Sequence, residues 1–179
     1  MVDVFNILYK KVDIVRIINY LYIKETIMED KNAFLQFEQI GRNRAKNEMD
    51  ESPTPINYHF TELENPIDLF LTALTNQRTY AVEIKNRTFG IKRFPDFILE
   101  THKYRDLMAA WENSGYTPIY LMYFDDGRIA WDVRKIGNAK DRLQQMTTSV
   151  TTAVNYRKNM KDKDVILLKP SEGKVKYYT

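Results

Sequence analysis

Apolar residues recur at two different spacings along the chain, and the spacing separates the predicted helices from the predicted strands. After Asp30, which is a favourable N-cap, they recur at helical spacing through residues 32–49 and predict a first helix. A second stripe of this kind begins at Phe97 and ends before Gly115. It predicts a second helix, with Pro95 in its first turn.

Shorter apolar runs, bounded by polar and turn residues, predict the strands. Three of them lie between the two helices: Ile56–Thr61, Pro66–Leu74 and Thr79–Lys85. After the second helix the predicted strands are Pro118–Tyr123, Arg128–Val133, Met146–Asn155, and a final hairpin of Val165–Leu168 with Lys174–Tyr178. The predicted fold class is therefore α/β, with a mixed central β-sheet flanked by helices and a β-rich C-terminal tail.

The first 27 residues are predicted to be an N-terminal extension or an accessory helix, and residues 28–179 a single domain. The extension has a loose helical stripe, but its many β-branched and aromatic residues weaken the helix prediction. Lys24-Glu25 precedes Met28, and codons for Lys-Glu can also serve as a ribosome-binding sequence. Met28 is therefore a candidate start, and a genuine accessory helix is the competing interpretation.

Size and composition narrow the class of protein. The chain of 179 residues is 44% hydrophobic, which is enough for one domain with a core. It has no cysteine, which excludes disulfides and thiolate metal sites and favours a cytoplasmic location. No apolar run approaches the roughly 20 residues of a membrane helix, so no membrane partner is expected.

Charge is distributed unevenly along the chain. From Arg128 to Thr179 there are 12 Lys and Arg residues against 5 Asp and Glu, a net charge of +7. The whole chain carries +3, so the remainder carries about −4. A basic third beside an acidic centre suits a protein that binds a phosphate backbone and a metal ion. A solvated basic surface is the alternative interpretation.

Three charged residues occur in the apolar strands predicted between the helices. Glu83 and Lys85 alternate on one strand and so project to the same side of the sheet, and Asp68 lies on the neighbouring strand. Two carboxylates, with the backbone carbonyl of Ile84 beside them, can hold a hard cation such as magnesium. Lys85 would orient or deprotonate water, or stabilise a charged transition state. An exposed ion pair and a turn aspartate are the alternatives.

Asp68, followed fifteen residues later by Glu83-Ile84-Lys85, resembles the motif of the PD-(D/E)xK nuclease superfamily, although Pro66 stands one residue off its pattern. Over about residues 30–133 the order helix, three strands, helix, strand is similar to the restriction-endonuclease-like core. Glu38 lies where many members place an additional metal-site Glu. The segment Glu100-Thr-His-Lys-Tyr104 resembles the Gln/Glu-x-x-x-Tyr element of recombination-type nucleases.

The resemblance implies an endonuclease that depends on Mg²⁺, with Mn²⁺ as a substitute, and that hydrolyses DNA. Its implied role is to process recombination or replication intermediates such as Holliday junctions, and a phage protein with this role would act in the host cytoplasm. RNA stays open as a substrate, and a homodimer is a candidate assembly because many relatives dimerise.

The implied catalytic residues are Asp68, Glu83, Lys85 and Glu38, and the implied metal ligands are Asp68, Glu83 and Ile84. The candidate nucleic-acid-binding residues are Arg87, Lys92, Arg93, Lys103, Glu100 and Tyr104. The alternative function is a catalytically inactive nucleic-acid-binding or assembly protein that reuses the fold.

Some neighbouring residues have two interpretations. Phe89 is expected either to stack on a base or to pack in the core. Arg42, Arg44 and Lys46 are predicted to coat a helix face. Glu48 is ranked below Glu38 as a site carboxylate because it lies near the helix end.

Overall fold

The computed structural model describes residues 35–63, 65–137, 142–149 and 160–178, which form a mixed α/β fold. Helix α1 covers residues 35–50 and helix α2 covers Thr101–Ser114. The strands are β1 Ile56–Phe60, β2 Leu69–Ala73, β3 Arg78–Asn86, β4 Phe97–Glu100, β5 Thr117–Phe124, β6 Gly127–Asp132, β7 Leu143–Ser149, β8 Met160–Leu168 and β9 Lys174–Tyr177. The predicted extension over residues 1–27 and the N-cap at Asp30 lie outside the described residues.

The larger sheet has six strands in the order β1-β2-β3-β5-β6-β9. Strands β1, β2 and β3 form an antiparallel meander, and the pattern of apolar runs predicted a strand at each of these three positions. Strand β5 is parallel to β3, which requires a crossover connection, and α2 lies in that connection. Strands β6 and β9 then continue the sheet in antiparallel pairing.

Two clusters of buried side chains cover opposite faces of this sheet. Ala45 of α1 packs with Val82 and Ile84 of β3 in one cluster. Leu107 of α2 packs in the other cluster, which includes Ala81 of β3. Strand β3 is therefore buried from both sides, and any charged residue in its middle must find its partners inside the protein.

The second helix begins later than predicted, because Phe97–Glu100 form strand β4 and not the first turn of α2. Strand β4 pairs with β8, and Phe97 and Leu99 are buried while Ile98 and Glu100 are only partly so. This alternation is the strand period. The end of α2 was predicted correctly, since Gly115 adopts the left-handed conformation with φ 71° and caps the helix.

The predicted C-terminal hairpin is wrong. Strand β8 belongs to a second, three-stranded sheet of order β4-β8-β7, whereas β9 pairs with β6 in the larger sheet. The turn at Pro170–Glu172 therefore passes the chain from one sheet to the other, and the Trp131 indole N–H donates to the carbonyl of Lys169 at 2.9 Å beside it. The predicted strand Met146–Asn155 is in part β7, and residues 150–155 lie outside the described residues.

Candidate active site

Glu83 is the most deeply buried charged residue among those described, with 0% of its surface exposed. It lies on β3 at the centre of the larger sheet. The Lys85 Nζ lies 2.8 Å from its Oε1, and the Lys103 Nζ donates to its Oε2 at 3.1 Å. A buried carboxylate is tolerated only with compensating partners, and here two ammonium groups provide them.

The two lysines reach Glu83 from different elements. Lys85 lies two residues along β3 and therefore on the same face, as strand alternation requires. Lys103 comes from the first turn of α2, and its Nζ also donates to the carbonyl of Pro66 at 3.3 Å. Lys103 thus connects α2, β3 and the segment that leads into Asp68.

Asp68 is 5% exposed and lies just before β2, where its backbone N–H donates to the carbonyl of Val82 at 3.0 Å. Its Oδ1 accepts a hydrogen bond from the Arg42 Nη2 at 2.7 Å, and its Oδ2 accepts one from the backbone N–H of Ile84 at 2.7 Å. Both carboxylate oxygens are therefore engaged by groups of the protein. Arg42 also donates to the carbonyls of Thr61 and Glu62, so it fastens α1 to this region.

Glu38, on α1, completes the cluster. Its Oε1 lies 3.9 Å from the Lys85 Nζ, and its Oε2 is buried without a hydrogen bond among the described residues. The Oε1 of Glu83 lies 2.8 Å from the Lys85 Nζ, so the Lys85 ammonium engages it. The site cluster, which we define as Glu38, Asp68, Glu83, Arg42, Lys85 and Lys103, thus contains one buried carboxylate oxygen, the Glu38 Oε2, with unused acceptor capacity among the described residues.

Burial changes the protonation of the cluster. It raises the pKa of Glu83 to about 7, although Lys85 and Lys103 act to lower it. Burial also raises the pKa of Glu38, against the opposing charge of Lys85. For Lys85, burial lowers the pKa but the charge of Glu83 raises it, and the net change is a rise. Lys85 is therefore an ammonium at neutral pH in this arrangement.

The donor chemistry of the cluster suits a hard divalent cation, with one difference from the sequence prediction. The unused oxygen belongs to Glu38, whereas Glu83 is engaged by Lys85 and Lys103. Asp68 is engaged by Arg42 and by the amide of Ile84. Within the described ranges, no group of three Asp, Glu, His or Cys side chains is arranged to hold an ion. Three cations already balance the three carboxylates, so a metal ion would compete with them.

The other predicted site residues divide into two groups. Lys92 and Arg93 are exposed, and Arg87 is partly buried, with its backbone N–H donating to the carbonyl of Tyr123 at 2.8 Å. Glu100 and Tyr104 have structural contacts instead: Glu100 accepts a hydrogen bond from the Lys163 Nζ at 2.9 Å, and Tyr104 packs against the core.

Sequence reasoning missed the role of Arg42, which is 5% exposed and does not coat a surface. Arg44 also points inward, because its guanidinium donates to the Asn86 Oδ1 at 2.9 Å. One sequence signal was available, namely Gly41: a Cβ there would lie 3.1 Å from the Ile84 Cγ2, so α1 approaches β3 closely at this point. The arginine beside that glycine faces the sheet for the same reason.

Glu48 does not join the site cluster. Its carboxylate accepts hydrogen bonds from Arg128 Nε at 2.7 Å, Tyr123 Oη at 2.9 Å and Lys176 Nζ at 3.1 Å. It therefore fastens the end of α1 to the sheet. The two histidines are both exposed. A surface hollow of about 290 Å³ lies apart from the cluster and is lined by Phe70, Ala109, Ala110, Asn113, Ser114 and Tyr116.

Similarity to known proteins does not assign this chain to a family. No protein-family model, curated protein or solved structure matches the chain significantly. Neither helix in the part of the chain that the structure describes is long and apolar enough to cross a membrane. The class defined here is a mixed α/β protein with buried carboxylates paired to ammonium and guanidinium groups at the centre of its main sheet.

Proposed function

We propose that this protein is a metal-dependent nuclease that hydrolyses phosphodiester bonds in DNA. The observation that carries the proposal is the Glu83 carboxylate, which is fully buried on the central strand between the ammonium groups of Lys85 and Lys103. Buried ionised groups are costly, and strongly perturbed carboxylates concentrate at functional sites. Apolar residues of similar volume often stabilise a protein interior as well as buried ion pairs do, so stability alone is a weak explanation for the cluster.

The order of elements supports the same proposal. Helix α1, strands β1–β3, helix α2 and strand β5 follow one another in an order similar to that of the restriction-endonuclease-like core, with strand β4 as an additional element before α2. Strand β3 carries Glu83 and Lys85, and Asp68 lies opposite on the approach to β2. The position of these three residues on or beside neighbouring strands supports the proposal.

The roles of the residues follow from their contacts. When bound, magnesium would be held by Glu38 and Glu83, with Asp68 and the carbonyl of Ile84 beside them, and would supply Lewis acidity. Lys85, as an ammonium, stabilises the negative charge that develops on the phosphate in the transition state. Arg42 holds the Asp68 carboxylate in a single orientation. Lys103 neutralises the remaining Glu83 oxygen.

The test is magnesium-dependent cleavage of branched, linear and single-stranded DNA. Glu83→Gln and Lys85→Met are expected to reduce the cleavage rate by at least about 100-fold, because each removes a charge that acts on the metal or the transition state. Glu112→Gln and Lys135→Met are matched controls with the same chemical changes at exposed positions outside the cluster, and should cleave as wild type. Equal cleavage by the site variants and the controls would exclude the proposed site.

A second candidate function is nucleic-acid binding without catalysis. It is favoured by the internal charge balance of the cluster, in which Arg42, Lys85 and Lys103 already neutralise the three carboxylates. Titration with manganese by calorimetry separates the two candidates. A nuclease site binds manganese and loses that binding in Glu83→Gln, whereas the absence of any manganese binding, together with retained DNA binding, would favour the second function.

A further inference from the structure

The loop that joins β3 to β4, residues 87–96, exposes an aromatic ring between cationic side chains. Phe94 is 47% exposed, and the neighbouring Lys92 and Arg93 are exposed as well. We call this segment the β3–β4 loop. It leaves β3 immediately after Lys85 and leads through β4 to Lys103 of α2, so both ends of the loop lie next to elements of the site cluster.

The β3–β4 loop is held firmly against the fold. Ile91 is buried, and its backbone N–H donates to the Asp126 Oδ1 at 2.9 Å. Gly90 permits this close approach, because a Cβ there would lie 2.8 Å from the Asp126 Oδ2. Phe89 packs against the core cluster, which settles its two interpretations in favour of packing.

The Phe89 ring also packs against the exposed Phe94 ring. The Phe89 and Phe94 rings meet edge to face with their centroids 5.2 Å apart. The opposite side of Phe89 lies against Phe124, at 5.9 Å between centroids. Phe94 is therefore a fixed exposed ring, which can stack on a ligand with little loss of its own conformational freedom.

The loop has three cationic side chains, which are exposed or partly buried. Arg87, Lys92 and Arg93 form no ion pair with any residue that the structure describes, although Arg93 lies 5.8 Å from the Phe94 ring centroid. Asp96 is the loop's one acidic residue, so the loop carries a net charge of +2. Unpaired cations beside an exposed aromatic ring match the charge and the flat apolar faces of an unpaired nucleotide strand.

Two other exposed apolar residues, Trp111 and Leu74, lack this combination. Trp111 is 38% exposed, but its neighbour Arg134 is paired with Asp132 at 2.6 Å. Leu74 is 46% exposed at the turn before β3, at the opposite end of that strand from the β3–β4 loop, and has no aromatic face. Phe94 is thus distinguished by its unpaired cationic neighbours and not by its exposure alone.

We propose that the β3–β4 loop binds single-stranded DNA, with Phe94 stacking on an unpaired base and Lys92 and Arg93 contacting backbone phosphates. A base inside a duplex is already stacked on both faces, so a surface ring of this kind selects unpaired strands. The inference deepens the proposed nuclease function, because it names DNA with an unpaired stretch beside the cleavage site as the substrate. This substrate assignment rests on the proposed nuclease function. The binding itself does not require catalysis.

Binding is measured in EDTA by fluorescence anisotropy, with a labelled single-stranded oligonucleotide and its duplex. Phe94→Ala is expected to weaken single-strand binding by about 5- to 150-fold and to leave the weaker duplex binding unchanged. Phe94→Trp keeps a stacking ring and is expected to bind as wild type, with tryptophan fluorescence quenched by the single strand. Leu74→Ala is the control, matched in exposure, and is expected to have no effect.

Removal of the cations gives an independent measurement. In single-strand binding, each lost phosphate contact reduces the slope of log affinity against log salt by about 0.7. The double variant Lys92→Met with Arg93→Met is therefore expected to lower the slope by about 1.4. An unchanged slope, or wild-type binding by Phe94→Ala, or duplex binding as tight as single-strand binding, would overturn the inference.

The two proposals can fail separately. If no DNA is cleaved under any condition but binding still depends on Phe94, the nuclease function fails and the loop remains a single-strand site. If DNA is cleaved through Glu83 and Phe94→Ala binds as wild type, only the loop assignment fails. The use of EDTA prevents cleavage from affecting the binding measurement.

Discussion

Glu83 takes up its proton because of its burial, and this gives the folded protein a specific dependence on pH. The pKa rises from an ordinary 4.5 to about 7 on folding, so between these values the folded chain binds a proton that the unfolded chain has released. A carboxyl group with a raised pKa stabilises the fold fully at acidic pH. That contribution is lost as the pH rises toward 7.

We predict that the free energy of unfolding of the metal-free protein falls by up to about 3 kcal/mol from pH 4.5 to 7 on account of Glu83. The measurement is urea denaturation across this range. Glu83→Gln cannot ionise, so its stability profile should lack this decline, whereas Glu112→Gln should keep it. Parallel profiles for wild type and Glu83→Gln would show that Glu83 does not titrate in this window.

At this scale the sequence predicted the pair on β3 but not its partners. Alternation along one strand is a local property, so the common face of Glu83 and Lys85 follows from their spacing alone. The contacts of Arg42 and Lys103 depend on how α1 and α2 rotate and pack on the sheet. That rotation is decided by distant residues, and the same spacing on an isolated helix is compatible with an exposed side chain.

Among the elements, α1 is attached to the sheet by polar groups at several places along its length. Near its middle, Arg42 binds Asp68 and the carbonyls of Thr61 and Glu62. Near its end, Glu48 binds Arg128 and other groups of the sheet. These contacts place Glu38, which lies one helical turn before Arg42, beside Lys85. The geometry of the cluster therefore depends on the docking of this helix.

We predict that Arg42→Met lowers the free energy of unfolding by about 3–5 kcal/mol, because it leaves the buried Asp68 carboxylate without its partner. Lys46→Met is the matched control, since Lys46 lies one turn further along α1 in an exposed pair with Asp50, and it should have little effect. Urea denaturation measures both. The double variant with Asp68→Asn should be more stable than the sum of the single changes predicts. Equal effects of Arg42→Met and Lys46→Met would contradict the proposed docking.

The predicted elements were wrong where a strand pairs with a partner far away in the sequence, because the local pattern of apolar residues does not show that pairing. The run Phe97-Ile98-Leu99 is apolar at every position, so its period is ambiguous, and pairing with β8 makes it a strand. Lys174–Tyr177 follows a turn and is near β8 in sequence, which favours a hairpin locally. Pairing with β6 extends the larger sheet instead. No local signal distinguishes these outcomes.

In the whole molecule, the site cluster lies where α1, β2, β3 and α2 meet. Its charged side chains come from α1, β3 and α2 and from the residue just before β2. Glu38 and Arg42 belong to α1, Lys85 to β3 and Lys103 to α2. A cation bound there contacts the folded chain only, since these residues are far apart in an unfolded one. Metal binding is therefore linked to global stability, and the linkage can be measured without any cleavage assay.

We predict that manganese raises the unfolding midpoint of the protein, with a stabilisation of about 2.7 kcal/mol when its concentration is 100 times its dissociation constant. The rise should vanish in Glu83→Gln, which weakens the donor set. In Lys103→Met it should appear at lower manganese concentrations, because Lys103 donates to the Glu83 Oε2 and competes with the metal for that carboxylate.

Thermal denaturation with and without EDTA measures the rise, with Lys135→Met as the control for loss of a lysine charge. A shift of equal size in wild type and Glu83→Gln would place the metal elsewhere, and weaker binding by Lys103→Met would mean that this ammonium shapes the site instead of competing for it.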